Sequence, residues 1–306
     1  MIIGLIGLGE MGSEIGRFFV KNGLDVISVF NGRSEISINR AVKYGIKDAL
    51  SVENFSKESD IVISIIPPDK AIETAELYSN YAVKENQIYC DMNAISTMTA
   101  KKIKKILDSK KINYVDASIM GGPPNQNYSP RVYMSGKLAE KLHFLSGKGI
   151  EIIILNGSDF QASAMKMVYA SITKGSKALV AGAFIVAKKN DVYQELIDEL
   201  NYSEEFFHGV ALKQVPSIKH KAYRWIGEMN EISLTYKESG LTGGFHSESE
   251  KVYELIKGLP PEKLSLNEMI EKITDKMEQW KTNWYLKLLI VKALWAFLVR
   301  KLQIMR

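Results

Sequence analysis

Three glycines, Gly7, Gly9 and Gly12, lie in the segment GLIGLGEMGSEIG, Gly4 to Gly16. They follow a short apolar run, Met1 to Ile6, and precede a helix-compatible stretch, Ser13 to Lys21. Strand, glycine turn and helix in that order are the context of a dinucleotide-binding fingerprint. Gly7 permits the tight turn out of the strand, Gly9 lets the backbone approach a pyrophosphate, and Gly12 lets the helix pack closely on the sheet. Leu8, Glu10 and Met11 complete the loop. The first free N–H groups of the helix then face the phosphates, where the dipole favours an anion.

The tip of the second strand indicates which cofactor. NAD sites place an Asp or Glu there for the ribose hydroxyls. This chain reads Phe30-Asn31-Gly32-Arg33-Ser34, with no acid. Arg33 and Ser34 can bind a 2′-phosphate, the guanidinium through paired charge-assisted bonds. The reading therefore favours NADP, with NAD as the alternative. Further on, Ile66-Pro67-Pro68 makes a rigid turn lacking backbone donors, suited to hold the chain over an adenine or nicotinamide ring. Met92-Asn93-Ala94 closes the next strand.

The elements that must position these residues alternate. Apolar runs at Ile2–Ile6, Val26–Phe30, Ile61–Ile66, Ile88–Cys90, Tyr114–Val115, Val132–Met134 and Ile150–Leu155 read as strands. Helical stretches lie between them, among them Lys70–Ala82 and Thr97–Ser109. This predicts an α/β fold with a Rossmann-type, doubly wound parallel sheet, whose ligands bind beyond the carboxyl ends of the strands. Near Asn156-Gly157-Ser158-Asp159 the pattern changes to a long proline-free helix and then to helices and turns alone. The expected division is a dinucleotide-binding domain, 1–157, and an all-helical substrate and dimerisation domain, 158–306.

Composition sets bounds. A chain of 306 residues, 46% hydrophobic and 25% charged, suits two ordinary globular domains. Its single cysteine, Cys90, excludes an internal disulfide and fits a reducing cytoplasm. His143, His208, His220 and His246 are far apart and form no metal-ligand pattern with Cys90, so no metal is expected. Met1 opens directly into the first strand, and no signal peptide is expected. The net charge of +5 is local: residues 281–306 hold six bases and no acids, while the rest has 34 bases against 35 acids. The main body therefore carries no nucleic-acid signature.

With these residues in place, the chain resembles the β-hydroxyacid dehydrogenase superfamily, which includes 6-phosphogluconate and 3-hydroxyisobutyrate dehydrogenases. The glycine segment, Ile65-Ile66-Pro67-Pro68 and Asp91-Met92-Asn93-Ala94-Ile95-Ser96 match its cofactor-domain motifs. Asp116-Ala117-Ser118-Ile119-Met120-Gly121-Gly122 is similar to its substrate loop, DAPVSGG. Lys166-Met167-Val168-Tyr169-Ala170-Ser171-Ile172 is similar to the helix KMVHNGI, which places the family's catalytic lysine at Lys166. Arg224-Trp225-Ile226-Gly227-Glu228-Met229-Asn230-Glu231-Ile232 resembles the helical domain of a branch of poorly defined function. The resemblance covers roughly residues 1 to 260. Departures matter: Ser118 and Met120 replace the loop proline and serine, and Tyr169 and Ala170 replace His and Asn. Thr173 replaces the acid–base glutamate of 6-phosphogluconate dehydrogenase. The implied substrate is therefore not 6-phosphogluconate.

The resemblance implies hydride transfer between a nicotinamide and a small polar hydroxy acid or its carbonyl form. The proton needs an acid–base group, and a lysine serves when burial or a neighbouring cation lowers its pKa. Lys166 is flanked by Ala162, Ala164, Met165, Met167 and Val168. Tyr169 and Thr173 fall near its helical face, with Lys174 one position round as a cation that would lower its pKa. Ser118, Gly121 and Gly122 are placed to meet a substrate carboxylate, and Gly-Gly-Pro-Pro also reads as a plain turn. Glu228 and Glu231 either hold substrate or Lys174, or Glu228 merely pairs with Arg224. The rivals are an imine reductase of the same fold and a non-catalytic dinucleotide-binding sensor or assembly protein.

The tail has a heptad-like stripe: Trp284, Leu288, Val291, Trp295, Leu298 and Leu302. It reads as a buried or dimer-contacting helix, or as a basic amphipathic helix on a membrane surface. The resembled family forms dimers, and a homodimer is expected.

Overall fold

The computed structural model describes residues 1–81, 84 and 86–279. The strands are β1 (Ile2–Ile6), β2 (Asp25–Ser28), β3 (Lys47–Asp48), β4 (Ile61–Ser64), β5 (Ile88–Asp91), β6 (Asn113–Met120), β7 (Arg131–Ser135) and β8 (Glu151–Leu155). The helices between them are α1 (Glu10–Lys21), α2 (Glu35–Lys43), α3 (Val52–Glu58), α4 (Ala71–Ser79) and α5 (Thr97–Asp108). All eight strands join one sheet in the order β3-β2-β1-β4-β5-β6-β7-β8. Every pairing is parallel except β6 with β7.

The strand sequences explain the layering. β4 (IVIS) and β5 (IYCD) are buried at every position, as required of parallel strands covered on both faces. Alternate residues enter opposite layers. Ile61, Ile63, Cys90 and Val115 pack with Ile15 and Phe19 of α1. Val62, Tyr89 and Tyr114 pack with Phe55, Ala75 and Ile103 of α3, α4 and α5.

Two strands depart from the sequence expectation. β3 is two exposed residues, too short for any periodic signal. β6 runs for eight residues rather than the apolar pair Tyr114–Val115, because Asp116 and Ser118 are buried within it. Both polar side chains find partners there, which a pattern of apolar residues does not reveal.

By compactness the chain divides into two units. One holds Met1–Gly175 with Arg224–Glu250; the other holds Ser176–Tyr223 with the chain from Lys251 on. The first contains the whole sheet, the start of α6 (Gln161–Lys189) and most of α9 (Ala222–Glu238), where α7 (Tyr193–Ser203) and α8 (Glu205–Gly209) intervene in the chain. α10 (Gly244–Lys257) follows. The second unit has helices and turns and no strand among its described residues. There Lys188 bonds Glu271 at 2.9 Å and Lys189 bonds Glu278 at 2.8 Å, fixing the helix 266–279 beside the end of α6. The 281–306 tail lies outside the described residues. α6 alone, among the described helices, is long and apolar enough to cross a bilayer, but half of its apolar window is buried within the fold.

Candidate active site

Gly7 has φ +112°, and a Cβ there would lie 2.1 Å from the carbonyl oxygen of Ile65. A Cβ on Gly12 would lie 2.0 Å from the oxygen of Gly7. Both glycines are thus required by the protein's own backbone. Gly9 differs: a Cβ there would meet nothing within 4 Å. Its missing side chain relieves no internal contact, so the space above it is open to a ligand. Gly9 is also the N-cap of α1 and supplies no side-chain cap, which leaves the first-turn N–H groups for another acceptor. An open cradle and an uncapped helix N-terminus fit a pyrophosphate. Leu8 is buried, Met11 is half-buried and Glu10 is exposed.

Asn31, Gly32, Arg33 and Ser34 form an exposed turn after β2, with Gly32 at φ +75° and the Arg33 N–H bonded to the Phe30 carbonyl at 3.0 Å. Ser34 caps α2, accepting from the Ser37 N–H. Its hydroxyl therefore has a structural task, and Arg33 is the free cation of this turn among the described residues.

Asn93 is buried and fully used. Its Oδ1 accepts from the Ile66 N–H at 2.7 Å, its Nδ2 donates to Ser64 Oγ at 3.0 Å, and its own N–H donates to Asp91 Oδ1 at 3.0 Å. It clips the ends of β4 and β5 together and sets the path of Ile66-Pro67-Pro68. Burial raises the Asp91 carboxyl to about 7. Asp116 lies beside it in register. Burial raises it too, while Ser135 and both the N–H and hydroxyl of Ser163 donate to it. These contacts tie the start of α6 to the sheet.

That anchorage delivers Lys166 to the carboxyl end of β6. Its ammonium donates to the Ile119 carbonyl at 2.7 Å, and burial lowers its pKa to about 8. Its place one position round the helix predicts that Lys174 helps to lower it. Instead Lys174 forms an ion pair with buried Glu228 and lies 5.4 Å from the Trp225 ring centroid, so its charge is matched elsewhere and desolvation alone acts on Lys166. Ser118 is buried and donates to the Ala162 carbonyl at 2.7 Å, which makes it a second tie between β6 and α6. Gly121, at φ +118°, and Gly122 open the loop that follows β6, two residues after the Ile119 carbonyl that Lys166 contacts. Tyr169 is exposed, and the Thr173 hydroxyl donates back to the Tyr169 carbonyl. Glu231 accepts from the Ser96 N–H at 2.6 Å and Thr99 Oγ1 at 2.8 Å, a contact across 135 residues that no local motif signals.

Residues 2–146 match the NAD binding domain of 6-phosphogluconate dehydrogenase, and residues 187–256 match a domain of unknown function, DUF1932. An uncharacterised 28.5 kDa protein of Methanothermus fervidus is 35% identical over 240 residues, covering 77% of this chain and 92% of the relative. The 2-(hydroxymethyl)glutarate dehydrogenase of Eubacterium barkeri is 26% identical over 205 residues, 65% of this chain and 67% of that enzyme. A solved conserved protein of unknown function, described as structurally similar to 3-hydroxyacid dehydrogenases, superposes with a TM-score of 0.63 at 26% identity, covering 84% of this chain and 97% of its own. With its NAD(P)-binding sheet and helical carboxyl-terminal region, the chain belongs to the β-hydroxyacid dehydrogenase superfamily, in the branch whose second domain has no defined function.

Proposed function

We propose that the chain is an NADP-preferring oxidoreductase acting on a small hydroxy acid or its carbonyl form, in the cytoplasm and as a homodimer. The observation that carries this reading is Lys166: half-buried, with its pKa lowered to about 8, bonded to the Ile119 carbonyl at the carboxyl end of β6, two residues before Gly121. A lysine poised there exchanges a proton near neutral pH. The N–H groups following Gly9 would hold the pyrophosphate and Arg33 the 2′-phosphate, while the Ile66-Pro67-Pro68 turn would back a ring. When bound, the nicotinamide supplies or takes the hydride.

The remaining steps belong to the chain's own residues. Neutral Lys166 accepts the hydroxyl proton during oxidation, and its ammonium form returns one during reduction. The N–H groups of Gly121 and Gly122 orient a substrate carboxylate, with Tyr169, Thr173 and the Lys174–Glu228 pair bounding the substrate. The similarity to the 2-(hydroxymethyl)glutarate dehydrogenase of Eubacterium barkeri supports an anionic hydroxy acid as the substrate class. On this reading residues 1–157 serve the cofactor and 158–306 the substrate and the dimer.

The test pairs turnover on a hydroxy-acid panel with cofactor calorimetry. Lys166→Ala should lower kcat by roughly 100- to 10,000-fold while leaving cofactor affinity nearly unchanged. Oxidation by the wild type should rise through about pH 8, and reduction should fall there. Arg33→Ala should weaken NADP binding and spare NAD. Wild-type turnover in Lys166→Ala would end the acid–base assignment; tighter binding of NAD than NADP would end the cofactor preference. A protein that binds cofactor but turns over nothing on the panel would favour a sensor.

A further inference from the structure

The connection from β6 to β7 is longer than a hairpin requires. The last register pair is Met120 with Arg131, so residues 121–130 join two strands that about two to five residues would join. The loop is nonetheless built rigidly. Pro123, Pro124 and Pro130 fix its backbone, and Pro124 and Pro130 are buried. At its tip the Asn125 N–H donates to the Tyr128 carbonyl at 2.9 Å, and the Asn127 N–H donates to Asn125 Oδ1 at 2.9 Å. This turn sends the Tyr128 side chain back to the start of the loop. A Cβ on Gly121 would lie 1.8 Å from the Tyr128 hydroxyl oxygen and 3.7 Å from Cβ of Pro130. The phenol therefore rests on the bare face of Gly121, in space that any side chain there would fill.

That hydroxyl has no structural task. Among the described residues it makes no hydrogen bond, and Tyr128 is 42% exposed. Ser118, near the end of β6, already donates to the Ala162 carbonyl, so its hydroxyl is spent. Gly121 and Gly122 are themselves exposed beside the phenol. Lys166 addresses the same stretch of backbone through the Ile119 carbonyl, at 2.7 Å. β6 continues to Met120 past its last pair with β5, Asp91 with Asp116, so this stretch projects beyond the carboxyl end of β5. Two residues separate the lysine contact from the tyrosine contact, a span of about 7 Å at full extension. An ammonium and a phenol hydroxyl thus meet one short segment, with two exposed glycines at its end.

We propose that Tyr128 is a specificity-determining residue whose hydroxyl donates to the substrate carboxylate beside the Gly121 and Gly122 N–H groups. This rests on the hydroxy-acid reading of Lys166 and names how the acid end is recognised. The substrate class is a short hydroxy acid, with its hydroxyl at Lys166 and its carboxylate a few bonds away at Tyr128. A phenol donates more strongly to an ionised acceptor than to a neutral one, so the free acid is bound in preference to its ester.

Tyr128→Phe keeps the ring and removes the hydroxyl. The probes are 3-hydroxypropionate, 3-hydroxybutyrate and their methyl esters, titrated by calorimetry into full-length protein saturated with NADP or NAD, with turnover measured alongside. Affinity for the acids should fall roughly tenfold or more in the variant, the scale of a hydrogen bond to a charged group. Ester binding should not move, and where turnover is seen KM should rise with kcat nearly unchanged. Equal weakening of acid and ester makes Tyr128 a support for the loop and overturns the proposal. So does unchanged acid binding in the variant. The wild type alone gives a check that needs no variant: equal affinity for acid and ester, or binding of neither, overturns the contact. Turnover with binding that ignores Tyr128 removes Tyr128 and leaves the Lys166 reading standing. Acid binding that depends on Tyr128 without any turnover keeps the carboxylate contact and ends the dehydrogenase reading.

Discussion

Lys166 and Asp91 are displaced in opposite senses by one cause. Burial penalises charge, so the lysine falls to about 8 and the carboxyl rises to about 7, each towards neutrality. The linkage for Asp91 follows directly. Its ordinary value is 3.8, so between about pH 4 and 7 the folded chain holds a proton that the unfolded chain releases. Stability contributed by that proton is present at about pH 4 and is lost as pH rises through about 7. Asp91→Asn keeps an acceptor for the Asn93 N–H and removes the titration. It should melt several degrees higher than wild type at about pH 8, with the gain vanishing near pH 4, a difference on the order of 1–3 kcal/mol. Thermal melts at the two pH values check this, and an equal gain at both would remove the carboxyl as the cause. At this scale the glycine loop was legible in the sequence, because its three positions constrain each other within six residues. The partner of Lys166, the Ile119 carbonyl, was not, since it lies 47 residues away.

Elements are joined in this protein by carboxylates at helix ends. Glu231 on α9 accepts from the start of α5, where Ser96 already caps the helix through the Thr99 N–H at 3.2 Å. Two turns further along α9, Glu238 accepts from Thr97 and Lys101. The negative charges complement the positive end of α5 and satisfy N–H groups that would otherwise be orphaned. Glu231→Ala should therefore cost about 1.5–3 kcal/mol, the range for hydrogen bonds to a charged group, and Glu231→Gln should cost less. Urea midpoints of the two variants measure the difference; a wild-type midpoint for Glu231→Ala would show the contact to be dispensable. Most of the strands were readable from apolar runs because both faces of the sheet are covered. β3 leaves no such run, being two exposed residues, and β6 leaves only a short one because buried Asp116 and Ser118 break it.

For the whole molecule, the outer side of α6 sets the expectation. Val168, Ile172, Leu179 and Val186 step along it by four, seven and seven residues, and all four are exposed. Each large apolar side chain left in water forfeits roughly 1.5–3 kcal/mol of burial, and a closed two-fold pairing is the commonest way to recover it. Light scattering should give twice the 34.4 kDa chain mass, and Ile172→Asp/Leu179→Asp should return the single mass. A monomeric wild type would defeat the dimer.

The burial of Cys90 has a practical consequence. Its side chain has no exposure, and its thiol is pushed up by the surrounding apolar wall and by Asp91 and Asp116. Thiolate is the reactive form, so this sulfur is silent toward maleimides and disulfide reagents in the folded state. The natural chain is therefore already a single-label background. A cysteine placed on any exposed helix will take a dye or spin probe alone, and sudden labelling of a protein without one will report unfolding of the sheet.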